Sequence, residues 1–535
     1  MTSSKNRPGF PKVAPLLVLV VVVFLGLLLR SAFLQGPVFD QSLQISISAW
    51  ELYRPAVESS QPDSGFGAQA VEFLREVASM PGEFRPLAVV LGLLYVVFGV
   101  SDLVSLLVPL LAFASTVVLV CLLARTWFGQ ATGILATLLW SVLPIGILLS
   151  VSLLPALPLT AGSLFAIYLF ATAEQRASNR LVLASFFVLL IGLFTAWMYF
   201  LPTAVLLVSW VAWKKPGQVP IPMYRLFGFL ILGFLFIPGI ASQAVDVFYL
   251  ILLYFENLLL LPLLALVLVV AAKGKQNSPV QFLLLWIGVK ATFMVLSAPW
   301  LVQHSQFETI GMSGYWLDLI LPGIILIAWQ FTRRVGEEQV LRSSLIASFV
   351  VIAGLIVLNL GVSMNSDLLL TISRVSVGAA ILLIFVYIAF WNINHRGALT
   401  GLLTAILITF VFASPSIVES YVESYRGKAN GVTQVSMMFE TVPDDKVAFI
   451  AGDALYQRFL YLNKYQSTFR DGSQSLSVYL LNQNQLGAVS VGSYVVISIE
   501  VLQFDLGVVP SNWMNVMETS NGERLLVYRI VVTSE

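Results

Sequence analysis

Apolar runs of about 20 residues recur along the chain at 14–34, 102–124, 131–151, 157–173, 180–196, 197–213, 222–241, 247–271, 279–298, 315–332, 343–361, 374–391 and 398–416. A helix rises ~1.5 Å per residue and a bilayer's hydrocarbon core is ~30 Å thick, so each run has close to the length of one crossing. The pattern predicts about thirteen transmembrane helices. The run at 87–99 is too short to cross and is expected to lie as a helix at the membrane interface. Two polar pieces interrupt the pattern. One is a loop from about 35 to 86 with Asp40, Glu51, Glu58, Asp63, Glu72, Glu76 and Glu83, in which 42–54 and 68–78 have helical spacing of apolar residues. The other is a tail from 416 onward, in which strand-like runs at 446–451, 494–499 and 524–531 and a helix-like run at 454–462 are separated by Gly, Asp and Asn turn signals.

The expected fold class is therefore a polytopic α-helical membrane protein with a small extracytoplasmic C-terminal α/β domain. Its expected domains are residues 1–416, carrying the loop 35–86, and residues 417–535. Composition agrees: of 535 residues, 58% are hydrophobic and 11% charged, against roughly 25% charged in soluble domains. Net charge is +1 and basic residues are scattered singly, so nucleic acid is not an expected partner.

Orientation follows from the short loops. Lys5, Arg7 and Lys12; Arg125; Arg176 and Arg180; Lys214, Lys215 and Arg225; Lys273 and Lys275; Arg333, Arg334 and Arg342; and Arg396 all fall on one side when the runs are counted alternately, whereas the gaps at 152–156, 242–246, 299–314 and 362–373 contain no Lys or Arg. One missed helix would destroy that regularity. The N-terminus is thus expected in the cytoplasm and the C-terminal domain outside it, with a bacterial inner membrane the best fit. The first run exceeds the 7–15 residues of a signal-peptide core and is expected to stay as an anchor.

Chemistry-bearing residues are few. The single cysteine, Cys121, rules out an intrachain disulfide, and two histidines, His304 and His395, are too few for a multi-histidine metal cage. No HExxH or GxxxxGK[ST] motif occurs. Ionisable groups at mid-membrane depth are expensive and mark structural pairs or functional sites. Glu256 and Lys290 fall at matching depths in consecutive runs, which is consistent with an ion pair between helices or with a polar cavity that receives an anionic head group. A carboxylate-rich outward loop on such a body suggests chemistry on a lipid-attached substrate. An Arg or Lys would hold the lipid phosphate and a carboxylate would serve the acceptor hydroxyl.

Phe84-Arg85-Pro86-Leu87, Phe98-Gly99-Val100-Ser101, Leu122-Leu123-Ala124-Arg125-Thr126-Trp127-Phe128-Gly129, the segment 138–144 and Leu153-Leu154-Pro155-Ala156-Leu157-Pro158-Leu159 resemble the N-terminal half of GT-C glycosyltransferases. The nearest branch holds protein O-mannosyltransferases and the aminoarabinose transferase of lipid A. The resemblance spans about residues 14–215 and is architectural beyond. It implies a polyprenyl-phosphate sugar as donor, a protein or glycolipid acceptor outside the cytoplasm, and no resident cofactor. In Gly36-Pro37-Val38-Phe39-Asp40-Gln41, Asp40 takes the place of the family's acceptor-activating Asp, while Gln41 replaces the Glu that usually follows. Arg85 matches the basic residue that contacts the lipid phosphate. Arg374, in Ser373-Arg374-Val375, matches more loosely an Arg at the outer end of a late span, and Lys290 and Glu256 are added as substrate-binding candidates. Ala156 stands where many members carry a second carboxylate, so a divalent metal is not expected. The same departures leave two alternatives open: a catalytically degenerate subunit or scaffold of a larger membrane complex, and a lipid flippase or transporter built on Glu256 and Lys290.

Overall fold

The computed structural model describes residues 19–26, 85–98, 102–151, 153–214, 278–303 and 309–344, isolated positions elsewhere, and in the tail helical positions between 431 and 459 with the segments 447–451, 477–481, 490–498, 510–519 and 524–531. The chain divides into two compact units, one formed by Met1–Leu34 and Leu107–Val418, the other by Gln35–Leu106 and Glu419–Glu535. The second unit thus gathers the long polar loop and the tail.

The described helices include α1 (Arg85–Phe98), α2 (Asp102–Phe128), α3 (Gln130–Val142), α4 (Pro144–Ser150), α5 (Ala156–Arg176), α6 (Asn179–Lys214), α7 (Ser278–Gln303) and α8 (Thr309–Val335). Among them Val104–Phe128, Ala156–Arg176 and Asn179–Ala196 are each long and apolar enough to cross a membrane unaided. The helix α1 covers the run read as interfacial. Runs 222–241, 247–271, 374–391 and 398–416 lie wholly or mainly outside the described residues.

The run 131–151 departs from its expected form. It is two helices, broken at Leu143, whose backbone is extended (φ −68°, ψ 133°) and which is followed by Pro144 at the start of α4. The proline's ring drives the preceding residue out of the helical region, and its missing N–H is harmless in a first turn. Residues 131–142 are all buried, and the Trp140 indole donates to Thr116 Oγ1 at 3.2 Å, which fixes α3 against α2.

The helix α6 is a hairpin whose arms lie over the runs at 180–196 and 197–213; of the two, Asn179–Ala196 is long and apolar enough to cross a membrane, whereas Tyr199–Trp213 is shorter. Straight, 36 residues would extend ~54 Å. Ala196, however, has φ −150° and ψ 70°, and the returning arm Tyr199–Trp213 carries Pro202 in its first turn, where a missing N–H is tolerated. The Trp210 indole reaches Glu174 Oε1 at 3.4 Å, so the end of the returning arm is level with the end of α5, where α6 begins. Phe200 folds back onto Gly192 of the outgoing arm and also faces Gly162 of α5, where an added Cβ would lie 2.9 Å from the ring. Ser185 Oγ donates to the Ala166 carbonyl at 2.8 Å and ties the outgoing arm to α5.

The helix ends that carry basic residues come together. Gln175, beside Arg176, donates through Nε2 to the Thr126 carbonyl, beside Arg125. A Cβ at Gly129, after α2, would lie 3.1 Å from Glu337, just past Arg333 and Arg334. Both turns there use a left-handed glycine, Gly129 at φ 99° and Gly336 at φ 98°, and at Gly336 the chain bends by 118° into Glu337–Ser344. Phe282, near the start of α7, packs on Trp127 and Trp210 with ring centroids 5.2 and 5.1 Å apart. One end of the unit thus gathers the positively charged termini, as the alternation of basic loops requires.

In the tail, β1 (Val447–Ala451), β2 (Ser477–Leu481), β3 (Tyr494–Ser498), β4 (Trp513–Glu518) and β5 (Leu525–Ile530) form one sheet in the order β2-β1-β3-β5-β4. The pairs β1–β2 and β1–β3 are parallel; β3–β5 and β4–β5 are antiparallel. One face packs Ala448, Ile450, Val496 and Val527 against Val432, Val435, Phe439, Leu455 and Phe459, several of which are helical. The other face is closed by Val495, Ile497, Trp513, Leu526 and Tyr528. Burial, helped by the Glu518 carboxylate on the adjacent strand, pushes the Tyr528 phenol above its ordinary pKa and keeps it neutral.

Candidate functional site

Of the candidate residues, Lys290 has a described side chain. It lies 4% exposed on α7, about 18 Å from the α7 start by helical rise. Its Nζ donates to the Tyr199 carbonyl at 3.4 Å, just beyond the turn of the α6 hairpin. A carbonyl has two lone pairs, so this bond is compatible with the helical one that Tyr199 makes in the returning arm. The contact couples α7 to the hairpin at a level remote from the basic end. Glu256, expected opposite Lys290, lies outside the described residues, as do Asp40 and Arg374. The carbonyl of Tyr199 was not foreseen as a partner, because sequence spacing reveals side-chain charges and not which backbone groups a kink presents.

Lys290→Met keeps the volume and removes the donor. It is expected to destabilise the detergent-purified protein by about 1.5–3 kcal/mol, read as a lower unfolding temperature. Affinity for undecaprenyl phosphate, measured on the same variant, reads a second role separately: unchanged affinity confines the amino group to holding α7 against the hairpin.

Arg85 is the first residue of α1, followed by Pro86. A helix start leaves N–H groups without intrahelical partners and carries the positive end of the helix dipole, so the backbone around Arg85 favours an anion. In the same unit Tyr95 of α1 and Ser105 share a buried hydrogen bond of 2.6 Å, which fastens α1 to the first turn of α2. Ala156 opens α5 and is 1% exposed; its methyl group supplies neither charge nor metal ligand. Among the described residues no three His, Cys, Asp or Glu side chains converge to hold a metal.

No family model and no curated protein sequence matches the chain. Two solved structures resemble it. The crystal structure of ArnT from Cupriavidus metallidurans bound to undecaprenyl phosphate aligns with a TM-score of 0.56 at 12% identity, over 98% of this chain and 99% of that one. The apo crystal structure of the same protein aligns with a TM-score of 0.50 at 12% identity, over 83% of this chain and 86% of the other. At that identity the likeness concerns backbone architecture, and it runs almost from end to end: the chain shares the fold of the ArnT structure.

Proposed function

We propose that the protein is an integral-membrane glycosyltransferase that moves a sugar from a polyprenyl-phosphate donor to an acceptor outside the cytoplasm. The observation that carries this reading is the likeness over 98% of the chain to a structure with undecaprenyl phosphate bound. In the proposed site Asp40 orients or deprotonates the acceptor hydroxyl, and Arg85 and Arg374, with Lys290 as a further cation, neutralise the departing lipid phosphate. Charge-assisted hydrogen bonds to that phosphate strengthen as the glycosidic bond breaks and its charge grows, so they favour the transition state over the bound donor. The chain sits in a bacterial inner membrane with its basic helix ends in the cytoplasm, and residues 35–86 and 417–535 face outward. That orientation accords with the gathering of the loop and the tail in one compact unit.

The test is turnover. Purified protein given an undecaprenyl-phosphate sugar is expected to release undecaprenyl phosphate in the presence of an acceptor. Arg85→Gln is expected to weaken binding of undecaprenyl phosphate by about tenfold or more; equal affinity in both proteins removes Arg85 from the site. A second reading draws on Ala156, buried where the resembled family has a carboxylate: a GT-C body retained as a subunit of a membrane complex. It requires stoichiometric co-purifying partners and an intact donor after prolonged incubation.

A further inference from the structure

A threonine inside an apolar helix ordinarily settles its hydroxyl on the carbonyl four residues back. In α2, α3 and α8 this is what happens: Thr126 donates to Leu122 at 2.7 Å, and Thr137 and Thr332 donate to Gly133 and Ala328 at 2.8 Å. Thr203, fully buried in the returning arm of α6, does otherwise. The carbonyl four residues back belongs to Tyr199, and its two lone pairs are taken by the helical N–H and by Lys290 Nζ. Lys290 thus displaces the Thr203 hydroxyl from its customary acceptor.

The returning arm and α7 run antiparallel and meet at two levels. Phe282 packs edge-on against Trp210 at one, and Lys290 Nζ donates to Tyr199 at the other. Trp286 stands midway between Phe282 and Lys290, one turn from each, so it belongs to the same face of α7; its ring lies 6.4 Å from that of Phe282. Thr203 stands between Tyr199 and Trp210, one turn from Tyr199. Trp286 and Thr203 therefore occupy the same stretch of the seam. Both are 0% exposed, and among the described residues neither Trp286 Nε1 nor Thr203 Oγ1 has a hydrogen-bond partner.

The same two residue types join α3 to α2 directly. There the Trp140 indole donates to Thr116 Oγ1 at 3.2 Å, and Thr116 passes its own proton to the Phe113 carbonyl at 2.8 Å. Between α6 and α7 the pair shares a level without a bond. A hydrocarbon chain cannot relieve this, because it offers an indole N–H nothing to donate to, and bare polar groups are most costly inside a membrane. Water can: it accepts from the indole and exchanges donor and acceptor roles with a hydroxyl, and buried waters typically sit among about two to four such groups. The Thr203 hydroxyl lies beside the Tyr199 carbonyl that Lys290 reaches, so water on Thr203 also comes within reach of the ammonium.

We propose that the seam between α7 and the returning arm of α6 binds water between Trp286 and Thr203, and that this water solvates the Lys290 ammonium inside the helical body.

Hydroxyl-radical footprinting of the full chain in nanodiscs, with radicals made from water in place by a brief X-ray pulse, tests this, because a bound water marks the side chain it touches even where bulk solvent does not reach. Trp286 is expected to be oxidised, whereas Trp140, equally buried but satisfied by Thr116, is expected to stay intact. Thr203→Val replaces the hydroxyl by a methyl group of similar size and is expected to bring Trp286 down to the level of Trp140; Thr203→Ser is expected to keep the oxidation. A wild-type Trp286 as inert as Trp140 overturns the proposal whatever the variants do. Undiminished oxidation of Trp286 in Thr203→Val overturns it too, since solvent would then enter the seam without being held by the hydroxyl. None of these results depends on sugar transfer.

Discussion

Asp40→Asn is expected to lower sugar transfer by about 10²–10⁴-fold, the range that a positioned general base contributes, while the affinity for undecaprenyl phosphate stays within about twofold of wild type. The split follows from what the side chain is asked to do. An amide keeps the shape and one acceptor oxygen of the carboxylate but takes up no proton, so it fails when the acceptor hydroxyl must lose one. In the proposed site the donor phosphate is held by cations, which the change does not touch. A pre-steady-state measurement of transfer, paired with a direct lipid-binding measurement, reads both halves. Wild-type turnover in Asp40→Asn removes Asp40 from the chemistry. An equal loss of lipid binding and turnover would mean that Asp40 shapes the donor site instead. A competing structural role is a helix cap for the run 42–54, and Asn caps nearly as well as Asp, which makes this substitution the informative one.

Gly192→Ala is the second large effect. Phe200 packs directly onto Gly192, and a methyl group there would overlap the aromatic ring. The ring has little room to retreat, because Gly162 on α5 closes its other side at 2.9 Å from an added Cβ. Overpacking in a filled interior costs about 1–3 kcal/mol, more where backbone must shift. Here the strained element is a hairpin whose turn rests on one non-helical residue, Ala196. The unfolding temperature in detergent is expected to fall, and Phe200→Leu in the Gly192→Ala background is expected to restore part of it, because the added methyl group and the ring act on one another. A Gly192→Ala protein that melts like wild type would show that the arms of α6 are not held by this contact.

Much of the membrane body was legible from runs of apolar residues and the sign of the loops between them. The hairpin is the clearest case: 180–196 and 197–213 are contiguous and equally apolar, and only the placing of Arg176, Arg180, Lys214 and Lys215 requires a turn between them. The break at Leu143 was announced by Leu143-Pro144 but lost in a run of full crossing length. In the tail, 446–451, 494–499 and 524–531 correspond to β1, β3 and β5, the three central strands, whose residues are mostly buried and so read as largely apolar stretches. The edge strands β2 and β4 were not read. In Trp513–Glu518 only the first residue is buried, and an edge strand of mixed polarity has no signal to distinguish it from a loop.

The candidate site was less legible. Lys290 stood out because charge in an apolar run is rare, whereas the packing of Trp127 and Trp210 on Phe282 gave no signal. Trp127, Trp210 and Phe282 are more than 150 residues apart at the extremes, and each alone is an ordinary apolar residue near a helix end. Only the meeting of four helix ends turns them into a wall.

The make-up of the second unit has a consequence for biosynthesis. Gln35–Leu106 leaves the ribosome before the segment with which it forms one compact body, Glu419–Glu535, which emerges only after all of Leu107–Val418. At ~5–20 residues per second the wait is on the order of half a minute. Through that interval the early segment is without its companion, and a nascent chain stalled before Glu419 would leave it unpaired.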